Sequence, residues 1–217
     1  DATRWYMATA GAPWNPLTFD SNGVRETYAK MFLTLWIIHK FHADYAALDG
    51  FDPEHSTSEV ASRPSLDPWI LSRLPSTARY YHADFKGWNF HKACRDLADF
   101  IVHDVSNWYV RRSRRQLWDD AETTDKVACQ HTLHEILTTV CRLIAPVSPF
   151  MVDTIHRNLT GETVHQAAWP LGVPGSLEGA TADRWDEDAA AETENLPPQD
   201  TTRETTMALV RELAEVG

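Results

Sequence analysis

The sequence predicts an all-α fold: an up-and-down helical bundle with a short N-terminal appendage, then an acidic C-terminal linker plus one more helix. Three observations carry that expectation. Apolar residues recur at spacings of three and four through several long stretches. The breaks between those stretches hold glycines, prolines or runs of acids. Alternating, strand-like patterning is confined to two short candidates, and there is no internal repeat.

Residues 1–20 begin without an initiator Met and lead into Ala12-Pro13-Trp14-Asn15-Pro16. This is a loop, because each proline restricts the residue before it to extended geometry. The chain reads as a piece of a larger protein. The first helix begins at Asp20, Ser21 or Asn22, which offer caps, with Glu26 suited to the first turn. Tyr28, Phe32, Leu35, Trp36, His39, Phe41, Tyr45 and Leu48 keep helical spacing up to Gly50. Phe51 to Pro64 is polar and turn-rich, hence a connection.

The second helix starts near Ser65 or Pro68 and carries Trp69, Ile70, Leu74, Ala78 and Tyr81, ending at Gly87. Pro75 lies inside it and is expected to kink or split it. Asn89 caps the third and longest helix, about 89–118, with Phe90, Ala93, Cys94, Leu97, Phe100, Ile101, Val105 and Trp108 on its apolar side. An acidic link at 119–125 follows. A fourth helix is expected over about 122–145 and a fifth over 148–159, separated by Ala-Pro-Val-Ser-Pro. Val164 to Trp169 reads as a small extended docking segment. From Pro170 to Gln199 periodicity is lost, and residues 171–217 hold 11 acids and 3 arginines. A last helix over about 200–216 carries Met207, Leu209, Val210, Leu213 and Val216 and reads as truncated.

The 217 residues are 43% hydrophobic, enough for a real core. No signal peptide and no stretch long enough to span a membrane is evident. Cys94, Cys129 and Cys141 lie far apart in apolar-periodic segments, as buried free thiols of a reducing, cytoplasmic compartment do. The formal charge of −11 argues against a general nucleic-acid coat protein, which is basic throughout. Fifteen arginines against five lysines, with 31 acids, suits a high-salt cytoplasm.

Against that acidity, Ser106 to Trp118 (Ser-Asn-Trp-Tyr-Val-Arg-Arg-Ser-Arg-Arg-Gln-Leu-Trp) sets four arginines within five residues. Such clustering costs self-repulsion and calls for an anionic partner. At helical spacing Asn107, Arg111, Arg114 or Arg115, and Trp118 fall on one side. Guanidinium groups suit phosphates and aromatic rings suit unstacked bases. The structural alternative is that the arginines pair with local acids, that Asn107 and Trp108 are core, and that only two arginines face out. Cations near a helix C-terminus are also favoured by the macrodipole, at about 0.3–1 kcal/mol each.

Signs of catalysis are missing. There is no Gly-rich phosphate loop and no Gly-x-Ser-x-Gly elbow. His39/His42 and His131/His134 are three apart and could present paired imidazoles, but ordinary half-buried histidines fit that spacing as well. A helical bundle with one arginine-aromatic helix end and no active site favours a binding module.

At these residues a family is recognisable. Asp104 to Arg115 (Asp-Val-Ser-Asn-Trp-Tyr-Val-Arg-Arg-Ser-Arg-Arg) resembles the signature helix in the anticodon-binding domain of isoleucyl-tRNA synthetases, most closely the type shared by archaea, eukaryotes and some bacteria. Other segments agree, in the family's order: Ala-Thr-Arg-Trp-Tyr-Met at 2–7, Ala-Pro-Trp-Asn-Pro-Leu-Thr-Phe-Asp at 12–20, Phe-Leu-Thr-Leu-Trp at 32–36 and Leu-Asp-Gly-Phe-Asp-Pro at 48–53. Arg-Pro-Ser-Leu-Asp-Pro-Trp-Ile-Leu-Ser-Arg-Leu at 63–74, Phe-His-Lys-Ala-Cys-Arg at 90–95, Leu-Ile-Ala-Pro-Val-Ser-Pro-Phe at 143–150 and Val-His-Gln-Ala-Ala-Trp-Pro at 164–170 continue it. The related valyl and leucyl enzymes share the bundle; the Arg-Arg-Ser-Arg-Arg run favours the isoleucyl branch.

The resemblance implies a class Ia synthetase bundle over 23–170, a remnant of the connection after the catalytic domain at 1–22, an acidic linker at 171–199 and the start of a C-terminal helix or domain at 200–217. It implies the anticodon stem-loop of tRNA(Ile) as partner, alongside the catalytic and editing domains of the same polypeptide, and no membrane. The parent enzyme activates isoleucine with ATP and Mg. Its His-Ile-Gly-His and Lys-Met-Ser-Lys-Ser signatures and its editing insertion are absent here, so this piece holds no cofactor and is expected to be inactive alone. The implied tRNA-binding residues are Asn107, Trp108, Arg111, Arg112, Arg114, Arg115 and Trp118, with Trp36, His39 and Lys40 on the first helix. Two positions depart from the family pattern: Ile37, where Asn is common, and Pro75, where a polar residue is. The rival readings are a protein-interaction bundle and a structural connector without anticodon contact.

Overall fold

The computed structural model describes residues 1–53, 66–118, 123–170, 204–208 and 211. The described residues are helical with no strands. The connection at 54–64, most of the acidic link at 119–125, the linker at 171–199 and part of the last helix lie outside the described residues.

Helix α1 spans Ala2–Thr9. Its Trp5 is buried and meets Phe32 edge-on at 6.1 Å, so the N-terminal stretch belongs to the same core as the bundle. The Asp1 carboxylate accepts from the backbone N–H groups of Phe150 (3.3 Å) and Met151 (2.6 Å), at the start of a later helix where orphan donors favour an anion. The expected first helix is a continuous run of α2 (Ser21–Thr27), a π-helical turn (Tyr28–Phe32) and α3 (Leu33–Asp49). Asp20 caps it, accepting from Asn22 and Gly23 N–H. Gly50 ends it in the left-handed conformation (φ 64°), which lets Phe51 N–H return to the Ala46 carbonyl at 2.9 Å.

Helix α4 runs Leu66–Lys86 straight through Pro75, so the expected split does not occur. The N–H that Pro75 lacks leaves the Leu71 carbonyl without its i+4 donor, and the next two hydroxyls, of Ser76 and Thr77, donate back to the carbonyls of Ser72 (3.2 Å) and Arg73 (2.9 Å). The turn after α4 places Trp88 at φ 62°, an unusual conformation for a bulky residue.

The longest helix has the expected ends but not the expected winding. Helix α5 (Phe90–Asp99) gives way to an 11-residue π-helical segment, Phe100–Val110, before α6 (Arg111–Trp118). The cause lies in the spacing of its buried residues. Leu97, Ile101, Val105, Tyr109, Ser113 and Leu117 are all buried, each four residues after the last. In an α-helix a step of four overshoots a full turn by about 40°, so five steps would carry Leu117 to the far side. The wider π winding, closed by i→i+5 bonds, keeps the row facing the core.

Helices α7 (Thr124–Ile144) and α8 (Pro149–Thr160) complete the bundle, followed by a single 3-10 turn (Val164–Gln166) where an extended segment was expected. The Thr123 hydroxyl caps α7 by accepting from Lys126 N–H, and Gly161 at φ 78° closes α8. One core joins every helix except α2, including Trp69, Tyr81, Leu97, Ile101, Tyr109 and Leu133. Two polar clusters inside it are paired across helices. Tyr109 Oη donates to Asp67 Oδ1 at 2.7 Å, and Lys126 Nζ donates to Asp49 at 2.7 Å with Gln130 Nε2 on the other oxygen. Cys94, Cys129 and Cys141 are buried free thiols, as expected; burial pushes the first two up to about 12.

Candidate nucleic-acid interface

The π-helical segment decides which residues of the longest helix reach solvent. With the four-residue row turned inward, a second row (His103, Asn107, Arg111 and Arg115) is exposed along the outside. Arg112, Arg114 and Trp118 are exposed as well, Trp118 by 57%. All four arginines of the cluster therefore face out, not two. None of them makes an ion pair with a carboxylate among the described residues. The alternative in which local acids neutralise the cluster finds no support there.

Two of the arginines are seated on aromatic rings. The Arg112 guanidinium carbon lies 3.6 Å from the centre of the Trp108 indole, and that of Arg114 lies 5.8 Å from the Phe41 ring on α3. Phe41 in turn meets Tyr45 at 5.0 Å, so the end of α6 rests on an aromatic pair of the first long helix. Arg111 and Arg115 have no such seat among the described residues. The cluster thus combines two guanidinium groups held on rings with two exposed ones that have no ring partner among the described residues.

The expected stacking residues separate. Trp118 is open to solvent. Trp108 is 8% exposed, and its faces serve arginines rather than solvent. Its position explains this: Phe100, Asp104 and Trp108 form a buried row of their own, again four apart. On α3, Trp36 is 39% exposed and Ile37 more so, while Lys40 is exposed and bound to Asp44 at 2.6 Å. His39 is buried, with Trp36 at 5.3 Å, and burial holds its imidazole below the usual value against the opposing pull of Asp44. As placed, His39 and Trp108 support the surface from beneath.

Asp104 lies on the arginine-bearing helix but pairs elsewhere. Arg73 of α4 donates to its Oδ2 from Nε (3.2 Å) and Nη2 (3.0 Å), and Arg211 of the C-terminal helix pairs with its Oδ1. Arg211 also stands 5.4 Å from the Trp108 ring. Sequence reasoning missed both arginines, because contacts 31 and 107 residues apart leave no local signal.

The cleft beside this network, about 290 Å³, is lined by Asp96, Asp99 and Asp104 with Arg73 and His103, an acidic lining unsuited to phosphates. No three His, Cys, Asp or Glu side chains among the described residues are placed to hold a metal. No helix among them is long and apolar enough to cross a membrane.

Comparison with known proteins agrees with this geometry. Residues 67–216 match the model of the family described as the anticodon-binding domain of tRNA ligase. An isoleucine–tRNA ligase from Porphyromonas gingivalis is 44% identical over 172 residues, covering 78% of this chain and 15% of its own length. One from Bacillus thuringiensis is 42% identical over 171 residues, covering 79% and 16%. One from Clostridium novyi is 39% identical over 190 residues, covering 82% and 18%. The chain thus spans under a fifth of the length of these curated relatives. A helical bundle that exposes an arginine cluster with no carboxylate partner among the described residues, matched by that family over most of its length, belongs to the anticodon-binding domains of tRNA ligases, with isoleucine–tRNA ligases as its relatives.

Proposed function

We propose that this chain is the part of an isoleucine–tRNA ligase that holds the anticodon stem-loop of tRNA(Ile), and that the ligation of isoleucine with ATP and Mg takes place on domains outside it. The observation that carries the reading is the set of four exposed arginines without a carboxylate partner among the described residues, in a chain of charge −11. Residues 23–170 form the recognition bundle. Residues 1–22 lead in from the catalytic domain, 171–199 are an acidic linker, and 200–217 begin a further C-terminal helix or domain. Catalytic and editing domains of the same polypeptide are its neighbours, and the cytoplasm is its location.

An anticodon loop is single-stranded, so its bases can splay, stack on rings and be read on their edges. Arg111 and Arg115 take phosphates, since they project without an aromatic seat. Arg112 and Arg114 present guanidinium planes already oriented by Trp108 and Phe41, which lowers the ordering cost of each contact. Asn107, next along the exposed row, offers an amide to a base edge or to the backbone. Trp118, and Trp36 on the neighbouring helix, are the open rings for stacking, at about 1–3 kcal/mol per base. Lys40 adds charge once Asp44 is displaced from it.

Binding of a labelled anticodon stem-loop to the full 217-residue chain, followed across a salt series, tests this. Replacing Arg111 and Arg115 by Gln is expected to lower the slope of log affinity against log salt by about 0.7–1 per arginine. An unchanged slope and affinity would remove the anticodon-site assignment and leave the connector reading.

A further inference from the structure

The C-terminal helix docks on the bundle beside the arginine cluster, and it brings a charge with it. Ser72 Oγ donates to Glu204 Oε1 at 3.0 Å, Arg73 Nη1 lies 3.6 Å from Glu204 Oε2, and Met207 packs against the core. One turn on, Arg211 reaches both Asp104 and the Trp108 ring.

Three features of Arg211 exceed what docking requires. First, Asp104 is already engaged: its other oxygen takes two hydrogen bonds from Arg73. Among the described residues Arg112 has no carboxylate partner, and the one carboxylate that Arg211 meets is shared with Arg73. Second, Trp108 carries two guanidinium groups, Arg112 at 3.6 Å and Arg211 at 5.4 Å from its ring centre. Their central carbons are therefore within about 9 Å of each other. At that range water and salt leave their mutual repulsion weak, and both charges act on the same patch of surface. Third, Arg211 makes one hydrogen bond among the described residues, to Asp104, and its side chain stays 26% exposed. The rest of its five-donor fork has no partner among the described residues, and that fork suits a phosphate.

We propose that Arg211 is a fifth anion-binding arginine of this surface, seated by Asp104 and Trp108, and that with Arg112 it takes backbone phosphate of the bound RNA. The proposal rests on the RNA-binding reading above and adds to it a contact delivered from beyond the bundle. Asp104 and Trp108 act as positioning residues: the carboxylate fixes the guanidinium and the indole sets its height beside Arg112. The site is then complete only when the C-terminal helix is in place.

The test uses the full 217-residue chain with the labelled anticodon stem-loop across a salt series, comparing Arg211→Gln, Arg211→Lys and the Arg111→Gln/Arg115→Gln pair. Hydrogen exchange over 204–211 reports whether the helix stays docked. Arg211→Gln is expected to lower the salt slope by about 0.7–1, and Arg211→Lys, which keeps the charge, to restore it. If the variants lower the slope only where protection over 204–211 is also lost, Arg211 is a docking residue only and the proposal is overturned. If Arg211→Gln leaves the slope unchanged while the Arg111/Arg115 pair lowers it, the proposal also fails and the underlying reading survives. If no variant changes the slope, the RNA-binding reading itself has failed.

Discussion

The guanidinium of Arg112 rests 3.6 Å from the centre of the Trp108 ring, four residues before it on the same helix. The indole is otherwise buried, so this contact is shielded from water on one side. A cation held over a ring in such a place is stabilised by about 1–2 kcal/mol. A double-mutant cycle with Trp108→Leu and Arg112→Met, read by urea unfolding, is expected to return a coupling energy of about 1 kcal/mol. Additive effects would mean that the ring merely fills space.

The ion pair between Lys126 and Asp49 ties the C-terminal end of α3 to the first turn of α7. Lys126 is buried, and Asp49 also accepts from Gln130. Removing one partner of a buried pair is far more harmful than replacing both. Asp49→Ala is expected to destabilise the chain by about 3 kcal/mol, and Asp49→Ala/Lys126→Met by clearly less. Equal losses in the two variants would contradict this account.

Trp88 sits at φ 62° in the turn that closes α4, exposed by 73% and touching Phe90 edge-on at 5.6 Å. The left-handed conformation costs a bulky residue about 1 kcal/mol that glycine avoids. Trp88→Gly is therefore expected to raise stability by about 0.5 kcal/mol despite deleting a large aromatic side chain. A fall in melting temperature would show that the ring contributes packing that its exposure conceals.

Histidines 42, 131 and 134 surround Phe51 between α3 and α7, with ring centres 4.8–6.4 Å from it. Burial, then the nearby His134, His39 and His131, lower His42 to about 3; burial also lowers His134. The unfolded chain binds these protons near pH 6.5 and the folded chain does not. The stability contributed by neutral His42 is thus fully present above pH 6.5 and is lost as pH falls from there towards 3. Between pH 6.5 and 5 the unfolding free energy is expected to drop with a limiting slope of about 1.4 kcal/mol per pH unit for each such histidine. His42→Gln flattens the profile by up to one proton; a parallel profile would rule out His42 as a contributor.

Much of this molecule was legible in its sequence. Helix ends followed from Asp20, Gly50 and the Ala-Pro-Val-Ser-Pro break before α8, whose chemistry acts locally. The arginine cluster announced itself by its charge. What escaped was geometry summed over distance. The row from Leu97 to Leu117 looks helical at any single step, and only five repeats of a four-residue step demand a wider winding. Trp108 beside four arginines resembles a stacking platform, yet it belongs to the row with Phe100 and Asp104 and lies inside. Pro75 reads as a break because proline lacks the N–H that a helix interior uses, yet α4 continues through it within the packed bundle.

The winding of Phe100–Val110 has a mechanical consequence. Helices α5 and α6 are joined through it, so it works as a vernier: the number of residues wound between them sets the angle between the face that α5 buries and the charges that α6 displays. One residue more or fewer there would swing all four arginines about the axis as a block, by roughly a quarter turn. Recognition could thus be re-aimed by changing the length of that segment, with the chemistry of the arginines left as it is.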